Sequence, residues 1–153
     1  MTDVEKDTEK FFVILGEMWR DICLIEFLMR CALAQKKGDA KKFPQPPYKK
    51  GNVYKEFPDS FALNLFSDVA GEFNKEFPGC AIPQIIVDLR NAMAHGLIAE
   101  INRSGTEELV KFRKRKDGLH VEFRTTLEVE KISTIRNSLS SIRRLIAKES
   151  ADK

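Results

Sequence analysis

Apolar residues recur at alternating steps of four and three along residues 3–36. This spacing places them on one stripe of a helix that packs lengthwise against another helix. The stripe consists of Phe11, Leu15, Met18, Ile22, Ile25, Met29 and Ala32. Further apolar surface beside it comes from Trp19, Leu24, Phe27 and Leu28. The pattern predicts one long helix that is either central or part of a subunit interface.

Similar periodicity predicts three shorter helices, at about residues 59–77, 82–95 and 126–148. Asp59 or Ser60 is the expected N-cap of the first, and Pro83 suits the first turn of the second. Gly96 is expected to end that second helix in a left-handed conformation. Before the last helix, residues 125–128 (Thr-Thr-Leu-Glu) have the pattern of a capping box.

Between about residues 97 and 124 the helical period gives way to alternation. Residues 97–102, 107–114 and 119–124 are predicted to be strands, with turns at 103–106 and 116–118. The last strand should divide its side chains between two faces. One face is expected to carry Leu119, Val121 and Phe123, and the other His120, Glu122 and Arg124.

Residues 38–58 contain four prolines and a glycine at the start, so they are predicted to form a long, mobile loop. The whole chain, 1–153, is then predicted to be a single, mainly α domain. Its expected architecture is a four-helix up-and-down bundle with a small antiparallel β-meander inserted before the last helix.

The net charge is only +3, but the basic residues are unevenly distributed. Residues 36–55 contain seven lysines and one acid, and residues 111–116 contain five bases among six positions. Such local patches suit a polyanion, although a solvated loop and a solvated hairpin explain them as well. The RNA-binding candidates are Lys49, Lys50, Lys55, Lys111, Arg113, Lys114, Arg115 and Lys116.

Cys23, Cys31 and Cys80 are odd in number and match no zinc-binding spacing. They are expected to be buried free thiols in a reducing cytoplasm. No signal peptide and no membrane-spanning apolar run are recognised, so a cytoplasmic protein without a membrane partner is expected. Neither a metal site nor a cofactor-binding motif is found, and none is predicted.

The segment from Asp88 to Gly96 (Asp-Leu-Arg-Asn-Ala-Met-Ala-His-Gly) is the main candidate for chemistry. Asn91 and His95 are one helical turn apart, and Arg90 has a side chain long enough to swing toward the same opening. A histidine can transfer a proton near neutral pH, and an arginine can hold a phosphate through two hydrogen bonds. Together they suit cleavage of a phosphoester, although a purely structural histidine and arginine would fit the spacing too.

Arg90-Asn-Ala-Met-Ala-His95, late in an apolar helix and followed by Gly96, resembles the signature of the HEPN superfamily. The resemblance implies a metal-independent endoribonuclease in which attack by the ribose 2′-hydroxyl leaves a 2′,3′-cyclic phosphate. It also implies a homodimer that brings two motifs together, acting on RNA as a toxin or an antiviral effector. By the same resemblance Arg90, Asn91 and His95 would be catalytic, and Glu26, Arg30 and Asp88 would support them.

The resemblance leaves a second hypothesis open, that of a HEPN domain retained as a non-catalytic interaction module. Such a module would use its first helix to dimerise or to bind a partner such as a nucleotidyltransferase or a cognate antitoxin. The intact arginine, asparagine and histidine favour the enzyme, because a scaffold has no need for the three groups together.

Overall fold

The computed structural model describes residues 3–46, 49–101, 106–126 and 129–151. In these residues the chain is mainly helical, with a small antiparallel sheet before the last helix, as predicted. The helices are α1 (Asp3–Lys36), α2 (Phe66–Glu76), α3 (Gln84–His95) and α4 (Val129–Ala151). The strands are β1 (Leu97–Ile101), β2 (Thr106–Arg115) and β3 (Gly118–Thr126), in the order β1-β2-β3. Among the described residues, no helix is long and apolar enough to cross a bilayer.

Backbone contacts divide the chain into two compact units. Unit 1 comprises Met1–Cys23 and Pro83–Asn137, and unit 2 comprises Leu24–Ile82 and Ser138–Lys153. The up-and-down arrangement of the helices and the single HEPN domain therefore remain predictions. The stripe predicted for α1 is confirmed, because all its members are buried except Leu15, which is half-buried.

Unit 1 is built from the first part of α1, α3, the sheet and the start of α4. Its core is apolar and contains Phe11, Met18, Ile22, Ile86, Leu89, Ala92, Leu109, Val110, Ile132 and Ile135. At the surface, Arg136 of α4 forms an ion pair with Glu17 of α1 at 3.0 Å. Helix α3 contacts strand β2, and this contact positions the candidate site.

Unit 2 contains a second apolar core, made by Ile25, Met29, Leu33, Phe66, Val69, Phe73, Ile82, Leu139 and Ile142. Asn74 fixes the chain beyond α2, because its side chain both accepts from the Ile82 N–H (2.6 Å) and donates to the Ile82 carbonyl (3.1 Å). The loop after α1 begins at Gly38, whose φ of 74° only glycine adopts easily. Within that loop, Phe43 packs edge-on against Phe27 and Phe61.

The predicted helix 59–77 begins later than expected. Asp59–Phe61 form a single 3-10 turn, and α2 starts at Phe66. Ser60 does not cap a helix; its hydroxyl donates instead to the carbonyl of Arg30 at 2.9 Å. A polar residue that looks like a cap is here used to anchor the loop to α1.

The end of α3 also differs from expectation. Gly96 has φ −88° and ψ 178°, which is extended rather than left-handed backbone. A side chain is excluded for another reason: a Cβ would overlap the Ala92 carbonyl oxygen and would lie 2.9 Å from that of Val110. Glycine is needed because the preceding turn of α3 and the backbone of β2 both lie too close to this position for a side chain.

The capping box predicted at residues 125–128 is wrong at its first residue. Thr125 and Thr126 belong to β3, where they pair with Leu109 and Glu108. Leu127 and Glu128 lie outside the described residues. Helix α4 extends from Val129 to Ala151.

The faces of β3 are not divided as the alternation predicted. Lys111 pairs with Phe123 but Phe112 pairs with Val121, so Glu122 is an extra residue, a β-bulge. Beyond the bulge the alternation reverses, because two residues of β3 lie opposite one residue of β2. Phe123 is half-buried on the face of Lys111, whereas Leu119 and Val121 are exposed on the other face with Arg124.

None of the three cysteines forms a disulfide, and they are not all buried. Cys23 is exposed, and Cys31 and Cys80 are half-buried. Desolvation raises the pKa of the Cys31 thiol to about 11, so this group stays protonated at neutral pH. Cys23 lies on the exposed side of α1, one turn from Trp19 and one turn from Phe27, which are exposed apolar residues.

Candidate active site

Helix α3 carries a continuous polar stripe. Gln84, Asp88, Asn91 and His95 follow one another at steps of four, three and four, which places them on one face. Asp88 and Asn91 are half-buried, and His95 is exposed in the last turn. The opposite face is buried through Ile86, Leu89 and their neighbours. The predicted pair Asn91 and His95 therefore shares a polar, accessible face.

Arg90 is half-buried and does not lie on this stripe. It precedes His95 by five residues, which corresponds to about 140° around an α-helix. The side chains of Arg90 and His95 therefore project from α3 in different directions. Within one copy of the chain, the guanidinium can approach the imidazole only if the long arginine side chain bends toward it.

The α3–hairpin cleft is an opening of about 260 Å³ lined by Asp88 and Asn91 of α3 and by Lys111, Glu122 and Phe123 of the β2–β3 hairpin. The bulge at Glu122 shapes this cleft, because it places both Glu122 and Phe123 next to Lys111. Among the described residues that line this cleft, neither Arg90 nor His95 is present. The cleft lies one turn before His95 along α3.

Ion pairs fix the hairpin side of the α3–hairpin cleft. Lys111 Nζ lies 2.6 Å from Glu122 Oε2, and Arg113 Nη1 lies 3.0 Å from Glu122 Oε1. Hydrogen bonds from Lys111 and then Arg113 lower the pKa of the Glu122 carboxyl, so it stays ionised near neutral pH. On the helix side, Gln84 Nε2 donates to Asp88 Oδ1 at 3.0 Å and orients that carboxylate.

The basic residues predicted to bind RNA fall into two groups. Lys111 and Arg113 are engaged by Glu122, whereas Lys114, Arg115 and Lys116 are exposed at the hairpin tip in unit 1. Lys49, Lys50 and Lys55 are exposed in unit 2. Their environment there is mixed in sign, because Lys55 lines a cleft of about 540 Å³ with Lys42, Glu56 and Asp59.

The two supporting residues predicted on α1 have a clear structural task. Arg30 pairs with Glu26, one helical turn away, at 2.7 Å. The same guanidinium donates to the carbonyls of Ser60 and Leu63, and Ser60 returns a hydrogen bond to Arg30. Glu26 and Arg30 lie in unit 2, whereas α3, which carries Arg90, Asn91 and His95, lies in unit 1.

Sequence reasoning missed Gln84 and Phe123. The four-residue step from Gln84 to Asp88 would have indicated their hydrogen bond. Phe123 had no such signal, because its face depends on a bulge that simple alternation does not reveal. His120 is half-exposed and contacts Asp117 at 2.8 Å.

Within the described part of the chain, no group of three or more His, Cys, Asp or Glu side chains is arranged to hold a metal ion. The chain was compared with protein-family models, curated proteins and solved structures, and none of the three comparisons found a match.

Proposed function

We propose that this chain is a metal-independent endoribonuclease of HEPN type, acting as a toxin or an antiviral effector. The observation that carries the proposal is the accessible polar face of α3, where Asn91 and His95 lie one turn apart. The exposed cations Lys114, Arg115 and Lys116 belong to the same compact unit as that face. Imidazole, guanidinium and a cationic surface are groups that suit phosphodiester cleavage in RNA.

In the proposed reaction His95 accepts the proton of a ribose 2′-hydroxyl, and the 2′-oxygen attacks the adjacent phosphorus. A bond forms between the 2′-oxygen and phosphorus as the bond to the 5′-oxygen breaks, and a protonated imidazole supplies the leaving oxygen with a proton. The products are a 2′,3′-cyclic phosphate and a free 5′-hydroxyl. Arg90 stabilises the charge on the phosphoryl oxygens, and Asn91 positions the substrate.

A two-fold dimer is part of this proposal. The angle of about 140° between Arg90 and His95 favours a site completed by a second copy. Phe12, Val13 and Trp19 expose apolar surface on α1, which provides area for such an interface. Light scattering should give about twice the chain mass of 17.5 kDa, and a monomer would remove the composite site.

A second candidate function is a non-catalytic interaction module for a partner such as a nucleotidyltransferase or an antitoxin. One observation favours it: an apolar groove of about 350 Å³ within unit 1. It is lined by Phe12, Leu15, Gly16, Trp19, Met93, Gly96 and Leu109. A groove of this composition suits an apolar segment of a partner, without need of chemistry.

The decisive experiment is cleavage of single-stranded RNA by purified protein in excess EDTA. We expect cleavage to persist, because the proposed steps use only side chains of the chain. His95→Ala should lower the rate about 10²-fold or more through loss of proton transfer. Arg90→Ala should lower it by about 10²–10³ through loss of anion stabilisation. Asn91→Ala should have a smaller effect.

The matched control is His120→Ala, which removes the only other histidine, one that contacts Asp117 at the surface. This variant should cleave like the wild type. Expression of the wild type should slow growth, and the His95 variant should not. A folded wild-type dimer that cuts no RNA, together with partner binding by all variants, would favour the interaction module.

A further inference from the structure

The α3–hairpin cleft has a composition unlike that of a phosphate site. Two carboxylates, Asp88 and Glu122, line it against one lysine, and that lysine is already paired with Glu122 at 2.6 Å. A phosphate would meet net negative charge here. The cations suited to phosphates are instead Lys114, Arg115 and Lys116, which are exposed at the hairpin tip.

The size and lining of the cleft suit a single nucleobase. Its volume of about 260 Å³ lies below the roughly 300–1,000 Å³ typical of pockets that enclose a drug-sized ligand. Phe123 is half-buried at its wall and offers an aromatic surface. Proteins that read single-stranded RNA stack splayed bases on aromatic side chains and bind their edges by hydrogen bonds.

We propose that the α3–hairpin cleft is a base-recognition pocket that selects guanine in single-stranded RNA. Guanine is the one RNA base with two adjacent donors, N1–H and N2–H, on its pairing edge. A carboxylate held as Asp88 is held by Gln84 can accept both, while the amide of Asn91 donates to guanine O6. Adenine would turn the lone pair of N1 toward that carboxylate and would be repelled.

Guanine recognition rests on the proposed ribonuclease function and names its preferred substrate. Asp88 and Asn91 precede His95 by about two turns and one turn on the same face of α3. A base held in the cleft would therefore place its neighbouring phosphodiester near the end of α3, beside the imidazole. RNA cleavage is then expected next to guanine.

The test measures binding separately from cleavage. The probes are fluorescent trinucleotides, UGU and UAU, whose 2′-oxygens are methylated so that no attack can occur. Wild-type protein and the His95→Ala variant should each bind UGU about tenfold or more tightly than UAU, the discrimination expected of one good bidentate contact. Equal affinity for the two probes, or no binding of either, would overturn the pocket.

Variants then assign the preference to named groups. Asp88→Asn replaces one acceptor by a donor and should bring the ratio of affinities close to one. Asp68→Asn, the same change at an exposed position of α2, should leave the ratio unchanged. Phe123→Ala should weaken both probes by roughly fivefold or more, since stacking is similar for both bases.

Gln84→Ala is a second route to the same result. It lies at an exposed position and removes the hydrogen bond that orients Asp88, so the preference should fall without loss of fold. Unchanged preference in both Asp88→Asn and Gln84→Ala contradicts the proposal. Guanine preference without any RNA cleavage would support the base-recognition pocket and contradict the ribonuclease function. RNA cleavage without base preference would support the ribonuclease function and contradict the pocket.

Discussion

Arg30 on α1 and the polar stripe on α3 are both polar features of helices that bury an apolar face, but they have different roles. Arg30 is only 11% exposed, and its guanidinium binds Glu26 and two backbone carbonyls of the 60–63 segment. On α3, Asp88 and Asn91 line an open cleft, and His95 is exposed. Backbone partners indicate a residue that holds the fold, whereas an open, mixed polar cleft indicates a residue able to meet a ligand.

The largest effect that tests this comparison is on stability at Arg30. Arg30→Ala should lower the free energy of unfolding by about 3 kcal/mol, since it removes charge-assisted hydrogen bonds and strands Glu26. The matched control is Lys37→Ala, just beyond the end of α1. Lys37 pairs with Glu72 at 3.4 Å and both side chains are partly exposed, 38% and 32%, so the loss of this pair should cost no more than about 1 kcal/mol. Urea unfolding measures both; equal losses would mean that Arg30 is not an anchor.

A smaller effect is expected at the end of α3. Gly96→Ala places a Cβ against the carbonyls of Ala92 and Val110, so both the last turn of α3 and the backbone at Val110 must shift. We expect a loss of about 2 kcal/mol and slower RNA cleavage, because His95 is the preceding residue. Gly71→Ala, within α2 and with nothing within 4 Å of the new Cβ, should stabilise the protein by about 0.5–1 kcal/mol. The midpoint temperatures of thermal unfolding should therefore shift in opposite directions in the two variants, down for Gly96→Ala and up for Gly71→Ala.

The smallest effect concerns the exposed cations of the hairpin. Replacing Lys114 and Lys116 together by Ala should reduce the slope of log K against log salt by about 0.7 per lost phosphate contact. The control, Arg143→Ala with Lys148→Ala, removes two exposed charges of α4 and should leave the slope as it is. An unchanged slope in the hairpin variant would mean that Lys114 and Lys116 are solvated residues that do not contact RNA phosphates.

Contacts between residues distant in the sequence explain which parts of the site could not be predicted from the sequence. The polar face of α3 was predictable, because helical spacing alone brings Asn91 and His95 together. The cleft was not predictable, since it depends on β2 lying against α3 and on a bulge that moves Phe123 to the face of Lys111. The Arg30 anchor was half-predictable: the Glu26 partner is local, whereas Ser60 and Leu63 lie more than 29 residues away.

The amino-acid sequence by itself determined the long α1 helix, the helix α3 that carries Arg90 and His95, and the presence of the hairpin strands. In each case the period of apolar residues is a local property, and burial of one face suffices to select the element. Tertiary structure decided the rest. It delayed α2 to Phe66, kept Thr125 in a strand and required glycine at position 96 through backbone approach rather than a left-handed turn. Caps and bulges cost little to move, so contacts between distant segments override the local preference for them.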